Sequence, residues 1–238
     1  MTANSSPTQP QLIQDGPAFE DSGLAHRVLE PDGPGPHPTA VMLHGRYGSE
    51  DVMWIFRHTL PRNWLLVAPR ARLEDPSGGH SWVLQPQGAW PALDAFNPAV
   101  EAIVRFIQAL PRYYNADLRH VYLIGFSQGA AVSYAAAMRH PDLAQAIAGL
   151  VGFVPEGCDT AVDIAGLQDL PVFMAVGKQD PLIPYERSVA CAHALQTAGA
   201  RLTYHEYDTG HKLNGQGMQD LAAWWAARNR ERYKQQRL

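Results

Sequence analysis

A serine stands between two glycines in the segment 125–129, which has the pattern G-x-S-x-G. The apolar run 121–126 precedes Ser127 and small residues follow from Ala130, so the sequence predicts a strand, a sharp turn and a helix. Glycines on both sides let the backbone pass closely through such a turn because they have no Cβ atom. The hydroxyl would then stand clear of the sheet, with helix N–H groups beside it to stabilise an anion. The pattern therefore predicts a nucleophilic serine.

A serine hydroxyl is a weak nucleophile unless a base removes its proton, so Ser127 requires a partner. Asp180 follows a predicted strand at 171–176, and His211 follows another at 201–206. The carboxyl ends of parallel strands meet at one edge of a sheet, so we expect these three side chains to lie together. His211 would act as the base. Asp180 would bind its other ring nitrogen and fix the tautomer.

Asp208 is an alternative to Asp180, since it lies three residues from His211. A carboxylate that close in sequence more often caps or braces the local turn, so we favour Asp180. The other histidines are weaker candidates for the base. His205, for example, lies within a predicted strand and not in a loop at its end.

The loop after the predicted strand 39–44 would reach the same edge. We expect the backbone N–H groups of Arg46 and Gln128 to form an oxyanion hole there. The Arg46 side chain is equally well explained as a solvated charge, and the role of the loop around His80 is left open. Four further loop residues are candidates for a substrate pocket, although a tryptophan in such a loop is more often packing: Tyr47, Trp82, Leu182 and Ile183.

These positions depend on a regular alternation of apolar runs with amphipathic or small-residue segments. The alternation predicts the α/β class, with a mostly parallel sheet and helices on both faces. Residues 1–22 are rich in Pro, Gln, Ser and Thr, so we expect a flexible tail followed by a single domain over 23–238. The predicted strands are 25–30, 39–44, 64–68, 121–126, 146–153, 171–177 and 201–206.

Composition excludes several other functions for the 238 residues. The net charge of −4 argues against a nucleic-acid partner, and no apolar run has the length of a membrane span. The N-terminus has no secretory-signal pattern, and two isolated cysteines are more typical of reduced thiols than of a disulfide framework. A cytoplasmic location is therefore expected. We find no G-x-G-x-x-G or Walker A motif and no metal-ligand spacing, so no metal is expected.

Several motifs together resemble the phospholipase/carboxylesterase family of small α/β-hydrolases, which includes bacterial carboxylesterases and acyl-protein thioesterases. The resemblance covers roughly residues 25–227 and is carried by these segments: Leu43-His44-Gly45, Ala68-Pro69-Arg70, Ser81-Trp82, Gly125-Phe126-Ser127-Gln128-Gly129, Gly177-Lys178-Gln179-Asp180-Pro181-Leu182-Ile183-Pro184 and Gly210-His211.

The resemblance implies an α/β-hydrolase fold without a separate lid domain that hydrolyses small-molecule esters or thioesters and needs no cofactor. By the same resemblance Ser127, Asp180 and His211 form the triad, and Arg46 and Gln128 supply the oxyanion amides. A dienelactone-hydrolase-like or peptidase-like activity is the alternative within enzymes, and an inactive hydrolase-fold binding protein is the alternative outside them. The oligomeric state, a homodimer included, is left open.

One loop departs from the family pattern. Residues 46–50 read Arg-Tyr-Gly-Ser-Glu, where the family would have an apolar residue, then Gly, then Asp. The charged and bulkier residues leave the acyl-chain preference open.

Overall fold

The computed structural model describes residues 9–86, 88–158 and 165–235. Eight strands form one sheet in the order β1-β2-β4-β3-β7-β8-β9-β10, and β5 and β6 form a separate antiparallel hairpin. All neighbours from β4 to β10 are parallel, whereas β2 is antiparallel to both β1 and β4. The strands are β1 (Gln11–Ile13), β2 (His26–Leu29), β3 (His37–Leu43), β4 (Leu65–Pro69), β5 (Leu73–Glu74), β6 (His80–Ser81), β7 (Ala116–Phe126), β8 (Ala146–Leu150), β9 (Pro171–Gly177) and β10 (Arg201–Tyr207).

Helices cover both faces of the sheet. Successive side chains of a strand point to opposite faces, and β3 shows the result. Its residues Val41 and Leu43 belong to one hydrophobic core, and Ala40 and Met42 belong to the other. The α-helices are α1 (Gly16–Ser22), α2 (Asn97–Tyr114), α3 (Gln128–Arg139), α4 (Tyr185–Thr197) and α5 (Gly215–Gln235), with short 3₁₀ helices at Val52–Thr59, Leu93–Phe96 and Ala165–Leu167.

Each core has its own helices. The first is formed with α2, α3 and α4, and the second with α5 and the 3₁₀ helix Val52–Thr59. The prediction of a mostly parallel sheet with helices on both faces is confirmed. None of the helices within the described ranges combines the length and the apolar character that crossing a membrane requires.

The prediction of a flexible tail over residues 1–22 is wrong for the part that the structure describes. There β1 extends the sheet beside β2, and α1 packs on α2. Asp21 accounts for the attachment, because its carboxylate accepts hydrogen bonds from Tyr113 and from Arg112, the latter at 2.7 Å. Its backbone carbonyl accepts another from Arg105 at 2.9 Å. Amino-acid composition carries no information about contacts with residues so distant in the sequence. Residues 1–8 lie outside the described ranges.

Two limits of the predicted strands differ from the structure by more than two residues. The strand expected over 146–153 ends at Leu150, because Val151 turns the chain with a φ of 41°. The strand expected from Val121 begins at Ala116, which pairs with His37 of β3 although polar residues follow it. Pairing between strands thus overrides the local polarity.

Candidate active site

Ser127 occupies a strained turn between β7 and α3. Its φ of 55° and ψ of −118° lie where residues other than glycine are rare. The neighbouring glycines are required by close packing and not by their own φ angles. A Cβ atom at Gly125 would lie 2.2 Å from the Gly129 carbonyl oxygen, and one at Gly129 would lie 2.0 Å from that of Leu43. The close fit of β7 against α3, and of α3 against the end of β3, therefore requires glycine at both positions.

His211 and Asp180 lie in the loops that follow β10 and β9, and their side chains are directly hydrogen-bonded. The Nδ1–H of His211 donates to Asp180 Oδ2 at 2.7 Å. The other oxygen of Asp180 accepts the backbone N–H groups of Leu182 at 2.8 Å and Ile183 at 3.0 Å. With its Nδ1 protonated by this contact, His211 has Nε2 available as a proton acceptor.

The Asp180 carboxylate is held in its charged form. Burial alone would raise its pKa, but the hydrogen bonds from His211 and from the backbone N–H groups of Ile183 and Leu182 outweigh burial, and the pKa lies below the usual range. An ionised carboxylate is an acceptor only, which fixes the proton on His211 Nδ1.

Direct contacts between the two loops hold them at a fixed separation. The backbone N–H of Gln179 donates to the Thr209 carbonyl at 3.0 Å, and Lys178 forms an ion pair with Asp208 at 2.7 Å. The Asp208 side chain is 76% exposed and faces Lys178. The hydrogen-bonded partner of His211 is therefore Asp180 and not Asp208.

Ser127 and His211 lie near each other without a direct hydrogen bond. The ring of Phe126, the residue before the serine, contacts the His211 ring edge-to-face at a centroid distance of 5.2 Å. Among the contacts made by the described residues, none joins Ser127 Oγ to His211 Nε2. Such bonds are often longer before a substrate is bound and tighten in the complex.

The loop after β3 packs against Ser127. A Cβ atom built on Gly45 would lie 3.2 Å from the Ser127 Cβ, so the loop directly contacts the serine. Within the described parts of the chain, the backbone N–H groups of Arg46 and Gln128 donate to no protein acceptor. Two unpaired N–H groups, one on the residue after Ser127 and one in a loop that contacts the serine, are suited to stabilising an oxyanion.

A sequence model of the family described as Phospholipase/Carboxylesterase matches residues 25–227. The chain belongs to the phospholipase/carboxylesterase family. The fold and family that the resemblance implied are thus confirmed, as is the coarser conclusion that the protein belongs to a family of hydrolytic enzymes.

Individual relatives are distant. The NocK protein of Nocardia uniformis subsp. tsuyamanensis is 29% identical over 149 residues, which are 63% of this chain but only 42% of NocK. The MhqD protein of Bacillus subtilis (strain 168) is 24% identical over 186 residues, 78% of this chain and 90% of MhqD. The Bacillus cereus carboxylesterase has a TM-score of 0.77 at 18% identity, over 88% of this chain and 96% of the other. Since its identity is so low, this last similarity shows the fold alone.

Gln128 does more than its position after the serine predicts. Its buried side chain accepts the Trp82 backbone N–H at 2.8 Å, and its Nε2 donates to the Val83 carbonyl at 2.8 Å and to Gln85 Oε1 at 3.1 Å. The side chain thus ties the loop 82–85 to the first turn of α3. The only signal for this role in the sequence is a polar side chain at the start of a helix of small residues.

His44 in this phospholipase/carboxylesterase family member supports the loop after β3 from within the core. Its Nδ1–H donates to the Gly45 carbonyl at 2.7 Å, and Nε2 accepts the Ala71 backbone N–H at 3.0 Å. Burial lowers the pKa of His44 to about 4, so the ring is neutral at physiological pH. With both ring nitrogens engaged, His44 holds structure and has no nitrogen left for proton transfer.

The structure places the four candidate pocket residues differently. Tyr47 and Leu182 are 46% and 62% exposed, whereas Ile183 and Trp82 are buried. The Trp82 indole N–H donates to the His44 carbonyl at 2.8 Å, so this side chain packs under the loop. Pocket roles for the four residues stay predictions. Among the residues that the structure describes, no group of three His, Cys, Asp or Glu side chains could hold a metal ion.

Proposed function

We propose that this protein is a serine hydrolase that cleaves carboxylic esters through an acyl-enzyme, with Ser127, Asp180 and His211 as its catalytic residues. The observation that carries the proposal is the 2.7 Å hydrogen bond between His211 and Asp180, in loops that open on the edge of the sheet that carries Ser127. Membership of a family of hydrolytic enzymes supports the reaction class.

In the first half of the proposed reaction, Ser127 Oγ attacks the ester carbonyl as His211 Nε2 takes the hydroxyl proton. The negative charge that forms on the carbonyl oxygen is stabilised by the N–H groups of Arg46 and Gln128. Asp180 stabilises the imidazolium and keeps its orientation. Collapse of the tetrahedral intermediate breaks the ester bond, and the alcohol leaves with the proton from His211.

The second half repeats the chemistry with water as the nucleophile. His211 removes a proton from the water as it attacks the acyl group on Ser127. The acid is released, and the serine regains its proton from His211. Every proton transfer uses side chains of the chain itself, so the proposed mechanism requires no cofactor.

The same steps apply to a thioester, whose carbonyl is attacked in the same way and whose thiol leaves more easily. Exposed Tyr47 and Leu182 would lie beside the leaving group or the acyl chain. The choice between ester and thioester and the acyl length remain to be measured. A cytoplasmic location and the absence of a nucleic-acid partner stay predictions, and the oligomeric state, a homodimer included, stays open.

The test is covalent labelling together with turnover. A fluorophosphonate probe should label the wild type and should not label Ser127→Ala, whose kcat on a short-chain aryl ester should fall by about 10⁴- to 10⁶-fold. Ser133→Ala is the control, because it removes a second serine hydroxyl of the same region, a buried one that donates to the Gly129 carbonyl. This control should label fully.

A panel of acyl-ester lengths, with a thioester alongside, would then define the substrate class. A Ser127→Ala protein that keeps most of its activity would contradict the serine mechanism. A folded wild type that neither reacts with the probe nor hydrolyses any member of the panel would favour the binding-protein alternative.

A further inference from the structure

The hairpin β5–β6 lies against the loop that carries the Arg46 N–H. Residue 48 forms an isolated antiparallel bridge with His80 of β6. Between the hairpin and the loop lies a small polar group, which we name the Asp75 cluster and define as Asp75, Ser77, Ser81 and Arg46. The proposed mechanism uses only the backbone N–H of Arg46 and leaves the rest of the cluster unassigned.

Asp75 is the centre of this cluster. Its side chain is 1% exposed. One carboxylate oxygen accepts the Ser77 backbone N–H at 3.1 Å, and the other accepts the Ser81 hydroxyl at 2.9 Å and Arg46 Nε at 3.2 Å. Burial alone would raise the pKa of Asp75, but these hydrogen bonds lower it, so the carboxylate is charged. The Arg46 guanidinium therefore binds a buried anion and is not simply a solvated charge.

Further contacts hold the residue that follows Arg46. The Tyr47 backbone N–H points to the Ser81 hydroxyl at 3.4 Å, and the His80 N–H donates to the Gly48 carbonyl at 2.9 Å. Tyr47 has a φ of 63°, a conformation that is unfavourable for a tyrosine. Its carbonyl packs so closely on Gly79 that a Cβ atom there would lie 2.2 Å away. The hairpin thus keeps the loop in a conformation that the loop's own residues disfavour.

We infer that Asp75 is a positioning residue of the oxyanion hole, which acts by fixing the loop through the Arg46 side chain and the Ser81 hydroxyl. The inference rests on the proposed function. An oxyanion donor must lie within about 3 Å of the developing charge, and a displacement of about 1 Å can cost roughly 100-fold in rate. Residues 46–48 depart from the family's pattern of an apolar residue, then Gly, then Asp. In this chain the Asp75 cluster supports the loop at the same place.

Asp75→Asn tests the inference directly. The new amide can still accept the Ser77 N–H, but its NH₂ group then faces the hydroxyl of Ser81 and the Nε–H of Arg46. We expect kcat on an aryl ester to fall by about 10- to 100-fold while KM changes by less than about twofold, because ground-state binding does not use the oxyanion hole. A trifluoromethyl ketone, which forms a tetrahedral adduct with an oxyanion, should lose affinity by the same factor as kcat/KM.

Glu74→Gln is the matched control, since it removes one negative charge from the adjacent, exposed position of the same hairpin. Its kinetics should equal those of the wild type. Arg46→Met and Arg46→Lys form a second pair that keeps the backbone N–H and remains usable if Asp75→Asn does not fold. The methionine variant should reproduce the loss of kcat, and the lysine variant should recover most of it by restoring an ion pair to Asp75.

The outcomes separate this inference from the proposed function. If Ser127→Ala abolishes labelling while Asp75→Asn and Arg46→Met keep the wild-type kcat, the inference is wrong and the serine mechanism stands. A lower melting temperature with unchanged kcat and unchanged ketone affinity would also overturn it, because that result assigns the cluster a purely structural role. If the wild type neither labels nor hydrolyses esters, both fail together.

Discussion

Asp180→Asn is the most informative single change because it reverses one hydrogen bond and can leave two intact. An asparagine at 180 can place its carbonyl oxygen where it accepts the N–H groups of Leu182 and Ile183. In the opposite orientation its NH₂ group would face both of those donors, so the first orientation is favoured. The NH₂ group then points at His211 Nδ1, which must become an acceptor and move its proton to Nε2.

A histidine with its proton on Nε2 cannot accept the proton of Ser127. We therefore expect kcat to fall by roughly 10⁴-fold, the size of loss seen when an aspartate of such a triad becomes asparagine, which corresponds to about 5 kcal/mol of transition-state stabilisation. Stability should change far less. A charge-assisted hydrogen bond is replaced by a neutral one in the folded protein, a cost of at most about 1.5–3 kcal/mol. The assay is steady-state hydrolysis of an aryl ester at pH 7, with urea unfolding alongside.

The control for this change is Asp208→Asn, which removes an exposed carboxylate that binds Lys178 and not His211. It should retain wild-type activity within about threefold, since an exposed ion pair contributes little. A loss below about tenfold for Asp180→Asn in a folded protein would refute the assigned role of Asp180. A greater loss for Asp208→Asn than for Asp180→Asn would exchange the two assignments.

Two further predictions concern the structure around the site. Burial lowers the pKa of His44 from 6.5 to about 4, so the unfolded chain binds a proton between these values that the folded chain does not, and stability falls as the pH drops through this window. Between pH 7 and pH 4 the free energy of unfolding of His44→Gln should therefore fall by about 3 kcal/mol less than that of the wild type, as measured by urea unfolding at each pH. A variant with the wild-type pH dependence would contradict the reasoning. Gly125→Ala would place a methyl group 2.2 Å from a backbone oxygen, so it should lose more than about 4 kcal/mol or fail to fold. Gly215→Ala, which meets open space at the start of α5, should be neutral or gain up to about 1 kcal/mol, and equal melting temperatures for the two variants would refute the packing argument.

The positions of Ser127, Asp180 and His211 could be predicted because each depends on a local signal. An apolar run that ends in a loop of glycine and polar residues marks the end of a parallel strand. Alternation of strands with helices then places all such ends at one edge of the sheet. No distant contact has to be known for this step, so the sequence predicts the site as well as the fold. The catalytic roles themselves stay predictions until they are measured.

The contacts that support the site could not be predicted in the same way. Asp75 binds Arg46 across 29 residues, and Gln128 binds the Trp82 backbone across 46. Neither pair belongs to a periodic pattern, and the short hairpin β5–β6 lies in a stretch whose polar and glycine residues predict only a loop. The same applies to β1 and α1, whose attachment to the domain depends on contacts of Asp21 with α2. Such structure is determined by tertiary contacts and not by local propensity.

Backbone strain is concentrated on the edge of the sheet that carries the site. Among the residues that the structure describes, five other than glycine have a positive φ, and three of them, Tyr47, Ser127 and Val151, lie in the loops after β3, β7 and β8. The other two, Asn115 and Asp169, precede β7 and β9 at the opposite edge and are residue types that tolerate this conformation. Tyrosine, serine and valine do not, and each costs about 1–3 kcal/mol that surrounding contacts must offset. For Ser127 and Tyr47 these contacts are the close packing of the neighbouring glycines and the hairpin β5–β6. A variant that relieves the strain at either residue should gain stability and lose kcat together.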